Sequence, residues 1–204
     1  SNSTGEFTSL TADTYTIEIT DENNCGPVDT SITLTEPESI TIDAVSSDDV
    51  AGCAGNANGS IDVTASGGTG TLTYTLSPDG ISNESGEFSG LTAGTYTVGV
   101  NDENGCGMVA TGDIVIEEPA ELSISSTSVA DVSCNGGSDG SITLSAVGGT
   151  GSLSYTLQPE GTTNNTGEFT GLPVGSYTAE VTDENGCGPI TQDFSISQPE
   201  EIAI

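Results

Sequence analysis

Thirty-one Asp and Glu and five Cys are the residues through which this 204-residue chain could do chemistry, because it has no Lys, Arg or His and a formal charge of −31. Carboxylates can shuttle protons or hold hard cations, and thiols can cross-link. The missing types exclude more. No P-loop or Schiff-base lysine, Ser-His-Asp or Cys-His pair, imidazole metal site or arginine clamp can be built. A nucleic-acid partner is excluded, since affinity for phosphates comes largely from Lys and Arg and every charge here would repel them. Paired carboxylates for glycoside hydrolysis are the one catalytic apparatus the composition permits. No pair stands out, because the acids recur from unit to unit and there is no Trp to form a sugar cleft. The chain reads as a non-enzyme.

That recurrence organises the chain. Gly5-Glu6-Phe7 returns as Gly86-Glu87-Phe88 and Gly167-Glu168-Phe169, and Asp21-Glu22-Asn23 as Asp102-Glu103-Asn104 and Asp183-Glu184-Asn185, a period of 81 residues. Cys25, Cys106 and Cys187 keep that spacing, as do Cys53 and Cys134. The Pro that closes each unit (Pro37, Pro119, Pro199) drifts by one residue, which suggests small indels in loops between modules. The expected units are 1–37, 38–119, 120–199 and 200–204, the first opening in mid-module and the last beginning another. Such a layout reads as a window on a longer tandem array, or as a half-module completed by strands of another chain.

Within a unit apolar residues alternate: Ile61, Val63, Ala65; Leu72, Tyr74, Leu76; Tyr96, Val98, Val100; Ile114, Ile116. Period two means half-buried strands, and Gly-rich joints such as Gly67-Gly68-Thr69-Gly70 break them at turns. Seven short strands in about 80 residues predict an all-β protein, tandem antiparallel β-sandwich repeats of the immunoglobulin or fibronectin-III type. In the third unit strands are expected over 121–129 (A), 141–147 (B), 153–158 (C), a short pair around 164–171, 176–182 (F) and 192–197 (G). Leu91 to Tyr96 and Leu172 to Tyr177 share a Leu-x-x-Gly-x-Tyr pattern that sets a Tyr at the start of the sixth strand, either as a tyrosine corner or as core packing. There is no apolar run near 18 residues and no basic leader, so neither a membrane span nor a signal peptide is expected within this window.

Val-Ser-Cys-Asn-Gly-Gly-Ser-Asp-Gly-Ser-Ile (132–142), Gly-Gly-Thr-Gly before a Tyr-containing strand, the run from Leu172 to Cys187 and a closing Gln-Pro together resemble the SprB repeat. That family occurs in very long surface proteins of Bacteroidetes, gliding-motility adhesins among them. The resemblance implies Ig-like repeats at the cell surface.

Five regularly spaced cysteines favour an oxidising, extracellular setting. One pairing closes each module, Cys53 with Cys106 and Cys134 with Cys187. Topology favours another. In a fibronectin-like sandwich the A–B loop and the F–G turn lie at opposite poles, about 30 Å apart, whereas a disulfide needs Cα atoms within about 7 Å. With modules stacked end to end, Cys53 would meet Cys187 across the junction, and Cys25, Cys106 and Cys134 would find partners outside the window. Both pairings stay open at this level.

The carboxylates allow a solvated acidic surface that keeps a long secreted polymer soluble. They also allow calcium, which takes oxygen ligands without imidazole. At the second junction Glu117, Glu118 and Glu121 are expected near Asp183 and Glu184, and one module earlier Glu36 and Glu38 near Asp102 and Glu103. Asn2, Asn58, Asn83 and Asn164 stand in Asn-x-Ser/Thr sequons, most simply as unmodified turn residues. The function expected is structural: a stalk, adhesin shaft or fibre whose partners are neighbouring repeats and further copies. The alternative is a module contacting surface glycans through the loop 148–151 or through Tyr74 and Tyr155.

Overall fold

The computed structural model describes residues 2–23, 25–105 and 107–203; Cys106 lies outside the described residues. Every described element is a strand. β1 (Asp13–Ile19) and β2 (Val28–Leu34) form a hairpin. β3 (Thr41–Asp48), β4 (Gly59–Ser66), β5 (Thr73–Ser77), β6 (Ile81–Asn83), β7 (Glu87–Leu91), β8 (Gly94–Asn101), β9 (Val109–Ala110) and β10 (Ile114–Ile116) build one sandwich. Its sheets run β3-β4-β7 and β10-β8-β5-β6, with β9 also on β8, and all pairs are antiparallel. β11 (Ser123–Ala130), β12 (Gly140–Val147), β13 (Ser154–Gln158), β14 (Thr162–Asn164), β15 (Glu168–Leu172), β16 (Gly175–Thr182) and β17 (Ile190–Ile196) repeat the plan as β11-β12-β15 over β14-β13-β16-β17. The expected all-β, immunoglobulin-like antiparallel architecture is the one observed.

Alternation explains the layers. Ile61 and Val63 of β4, Tyr74 and Leu76 of β5, and Val98 and Val100 of β8 turn inward and are buried, while the Thr, Ser and Asp between them face out. One period later Ile142, Leu144, Tyr155, Leu157, Ala179 and Val181 do the same. The two buried clusters share no residue. Sheet-to-sheet distance is kept tight where β4 and β12 begin: a Cβ on Gly140 would stand 2.8 Å from the Leu172 carbonyl oxygen and 3.0 Å from Ile196, and Gly59 meets Ile116 and Leu91 likewise.

The Leu-x-x-Gly-x-Tyr tyrosines do both things the sequence allowed. Tyr96 and Tyr177 are buried, and their hydroxyls donate to the carbonyls of Thr92 (3.0 Å) and Pro173 (2.9 Å), four residues back. Tyr15 donates to Thr11 in the same way. Burial first, and then the charge of Glu160, raises the Tyr177 hydroxyl above its ordinary pKa, so it stays a donor.

The drift of the closing Pro has its origin in a strand and not in an inter-module loop. β9 pairs Ala110 with Gly99, but β10 pairs Ile114 with Tyr96, so one extra residue on that strand is taken up between them as a bulge. Thr111 holds the bulge, its hydroxyl accepting from the Val98 N–H and its own N–H donating to the Val98 carbonyl. β17, with no extra residue, keeps one register from Ile190 to Ile196.

Around the hairpin β1–β2 the residues equivalent to core positions, among them Phe7 and Leu10 ahead of β1 and Ile19 and Ile32 within the hairpin, are exposed. No described strand packs on that face closely enough to bury them.

Candidate functional site

The residues capable of chemistry gather where the sandwich of β3–β10, the second by its unit of the sequence period, meets that of β11–β17, the third, and the local sequence explains why. The A–B loop, 49–58, closes on the exit of the last strand: the Val50 N–H donates to the Glu117 carbonyl (2.9 Å), the Glu117 N–H to Asp49 Oδ1 (2.8 Å) and the Gly55 N–H to Glu118 Oε2 (2.6 Å). This sets Cys53 at the C-terminal pole of its sandwich. In the third sandwich the F–G turn closes on the B–C loop instead. Asp183, itself buried, accepts on Oδ2 from the Thr150 N–H (2.7 Å) and on Oδ1 from the N–H groups of Asn185 (2.9 Å) and Cys187 (2.8 Å). Gly149, at φ +71°, admits that carboxylate, since a Cβ there would sit 3.0 Å from Asp183 Oδ2. The result sets Cys187 at the N-terminal pole.

Only six residues, 117–122, lead from the end of β10 to β11, so the two poles face each other. Cys53 and Cys187 are joined by a disulfide with Cα atoms 5.4 Å apart, across a sequence separation of 134. Beside it the Thr150 hydroxyl donates to the Gly52 carbonyl (3.1 Å). Cys187 is buried, and Cys25 and Cys134 are exposed free thiols.

Four of the nine carboxylates considered for calcium accept hydrogen bonds from loop backbone. Asp183 is surrounded by backbone donors, Glu118 serves Gly55, and Glu184 Oε2 accepts from the Ser152 N–H at 3.4 Å. At the earlier junction Asp102 Oδ2 accepts from the Thr69 N–H (3.0 Å). Glu36, Glu38, Glu103, Glu117 and Glu121 are exposed. Among the described residues no three acidic or thiol groups come close enough together to hold a metal ion. Tyr74 and Tyr155 are buried, which removes them from any glycan-contacting face. The sequon amides cap turns: Asn83 Oδ1 accepts from the N–H groups of Ser85 and Gly86 while its Nδ2 donates to the Glu87 carbonyl, and Asn164 repeats this one period on. Sequence reasoning missed Thr150 and Gly52 as junction partners. The recurrence of Gly-Gly-Thr-Gly at 67–70 and 148–151, each ahead of an Asp-Glu-Asn-Gly-Cys at 102–106 and 183–187, was the available signal.

Asp183 makes the junction sensitive to acid. The Thr150 N–H, the strongest influence, holds the carboxyl below its ordinary pKa, with the Cys187, Asn185 and Gly186 backbone adding to it against the opposing effect of burial. A folded pKa below the unfolded one means stabilisation that is complete above about pH 4 and lost as pH falls through the folded value. Asp183→Asn puts an amide donor against the Thr150 or Cys187 N–H and should melt earlier than the parent. The gap in melting temperature, followed by circular dichroism, should be constant from about pH 5 to 8 and close toward pH 3.

Fold and junction define a class: a tandem repeat of immunoglobulin-like sandwiches tied together at their poles. Residues 44–80 and 126–162 match the SprB repeat, each match running from within the first strand of a sandwich past its third. No curated protein matches the chain. Among solved structures it is similar to the C-terminal 282-residue fragment of intimin, in complex with the intimin-binding domain of the translocated intimin receptor (16% identity, 78% of this chain and 64% of that one, TM-score 0.35). It is also similar to three N-terminal domains of the Hoc outer capsid protein of bacteriophage RB49 (18%, 78% and 59%, 0.44) and to immunoglobulin domains 1–5 of Sidekick-1 (13%, 92% and 45%, 0.37). The matched part is less than two thirds of each of those chains.

Proposed function

We propose that this chain belongs to a cell-surface repeat array that works mechanically, as a stalk, adhesin shaft or fibre. In this reading residues 38–119 and 120–199 are successive repeats, residues 1–37 are the C-terminal part of a preceding one, 200–204 begin another, and Cys53–Cys187 is the staple between neighbours. The observation that carries it is that disulfide, which bridges two separate cores at facing poles and closes neither. A bond of this kind persists in an oxidising compartment, in keeping with an extracellular place. The absence of Lys and Arg leaves trypsin-like proteases no cleavage site, which suits an exposed polymer.

A peptide map without reductant should recover Cys53 joined to Cys187, and negative-stain images should show the two sandwiches in line. Cys53→Ser should widen the spread of angles between them. Recovery of Cys53 joined to Cys106, or an unchanged spread in the variant, would count against the staple.

A further inference from the structure

The flank of the second sandwich carries a groove that neither pole uses. β3 is the outer strand of one sheet, β9 and β10 lie at the outer edge of the other, and among the described residues no ladder joins them across the gap. Val45 pairs with the buried Val63 and so points to the interior side, yet it is 45% exposed, because no strand closes over it. Ile42, Val45, Ala110 and Ile114 line the groove, with the exposed Asp113 beside them.

The bulge at Thr111 sets this flank apart from its counterpart. In the third sandwich β17 runs on without one. Thr127, opposite Leu144, and Thr191, opposite Glu180, stand there where Val45 and Ala110 stand here. Two exposed apolar groups of one flank are thus hydroxyls on the other.

An outer strand leaves the N–H and C=O groups of its free side to water or to an added strand. Where that free side adjoins apolar side chains, an added strand also buries its own side chains at every second position. Charge decides which strand. Asp43 and Asp48 on β3 and Asp113 and Glu117 on the other side are exposed, and the chain carries −31 with no positive side chain. A second copy would bring like charges to this edge, whereas a segment alternating apolar residues with Lys or Arg brings opposite ones.

From this we infer that the flank between β3 and β9–β10 is a docking surface for an extended cationic segment of a partner protein. The segment adds as a strand, seats alternate apolar side chains on Val45 and Ala110, and sets its Lys or Arg against Asp113. In a column joined pole to pole this flank stays open, so the Cys53–Cys187 staple can fail its own test without touching this surface, and the reverse.

The test titrates the 204-residue chain with an end-blocked octapeptide of alternating Val and Lys, in about 0.15 M salt to screen exposed charges, and follows amide hydrogen exchange. Exchange should slow over 41–48 and 110–116 and stay unchanged over 123–130 and 190–196. The same peptide with Pro in place of Val is equal in charge but lacks the N–H groups at those positions, and should bind at least about ten-fold more weakly. Val45→Thr with Ala110→Thr gives this flank the residues of the third sandwich. Both positions are exposed, so the melting temperature should hold while affinity for the Val-Lys peptide falls about ten-fold. Equal slowing on both flanks, equal binding of the Pro peptide, or undiminished affinity in the double variant would reveal charge attraction alone and overturn the inference. So would the absence of any slowing, or dimers of the chain paired edge to edge through β3.

Discussion

Pulled from its two ends, the oxidised chain is expected to reach a contour length of about 240 Å, and the reduced chain about 690 Å, at roughly 3.4 Å per extended residue. The difference of about 450 Å is the 134-residue separation between the bridged cysteines. With the staple intact, load entering at the N-terminal side runs along β3, through the A–B loop, across Cys53–Cys187 and out along β17. β3 and β17 are already extended in the fold, at about 3.3 Å per residue, so they have little length to yield. Everything from β4 to β16 lies off the load line. After reduction, or in Cys53→Ser, each sandwich should unravel in its own step of about 270 Å, the contour of roughly 80 residues. Optical-tweezers traces with and without reductant read this directly. Equal extension in both conditions would mean that the poles carry no covalent tie.

Why so much of this was legible lies in the local character of the signals. Alternation at Ile61 and Val63, or at Tyr155 and Leu157, is imposed by the pleat itself, so the inward positions could be read off before any neighbour was known. The tyrosine corner is equally local, because Tyr177 reaches a carbonyl only four residues back. The A–B and F–G loops could be assigned to opposite poles because strand direction alternates along the chain. What stayed hidden depends on where backbone donors point. Nothing in the charge count distinguishes Asp183, ringed by three N–H groups, from Glu121, which is exposed. An acidic cluster in sequence therefore looked like a cation site, while in space Asp102, Glu118, Asp183 and Glu184 accept from loop N–H groups and the rest stand exposed. The bulge between β9 and β10 was hidden for a similar reason. A one-residue drift in the position of Pro119 does not say whether a loop or a strand absorbs it.

Leu144→Ala should cost the third sandwich about 3–5 kcal/mol, because Leu144 is 0% exposed on the middle strand of its three-stranded sheet and its removal leaves a cavity in the core. A unit of about 80 residues has only some 5–10 kcal/mol in hand, so the loss takes a large share and lowers its melting point on the order of 20 °C. The equivalent position one period earlier is Val63, also 0% exposed. Val63→Ala removes fewer carbons there and should cost less, about 1–3 kcal/mol. Since the two buried clusters share no residue, each substitution should shift one calorimetric transition and leave the other in place. The staple sharpens the distinction, because it restrains the unfolded chain of both sandwiches without adding a contact to either core. In the Cys53→Ser background both transitions should therefore fall while the spacing that Leu144→Ala opens between them persists. A single transition moving as a whole would show that the sandwiches melt as one body, with the junction carrying cooperativity as well as load.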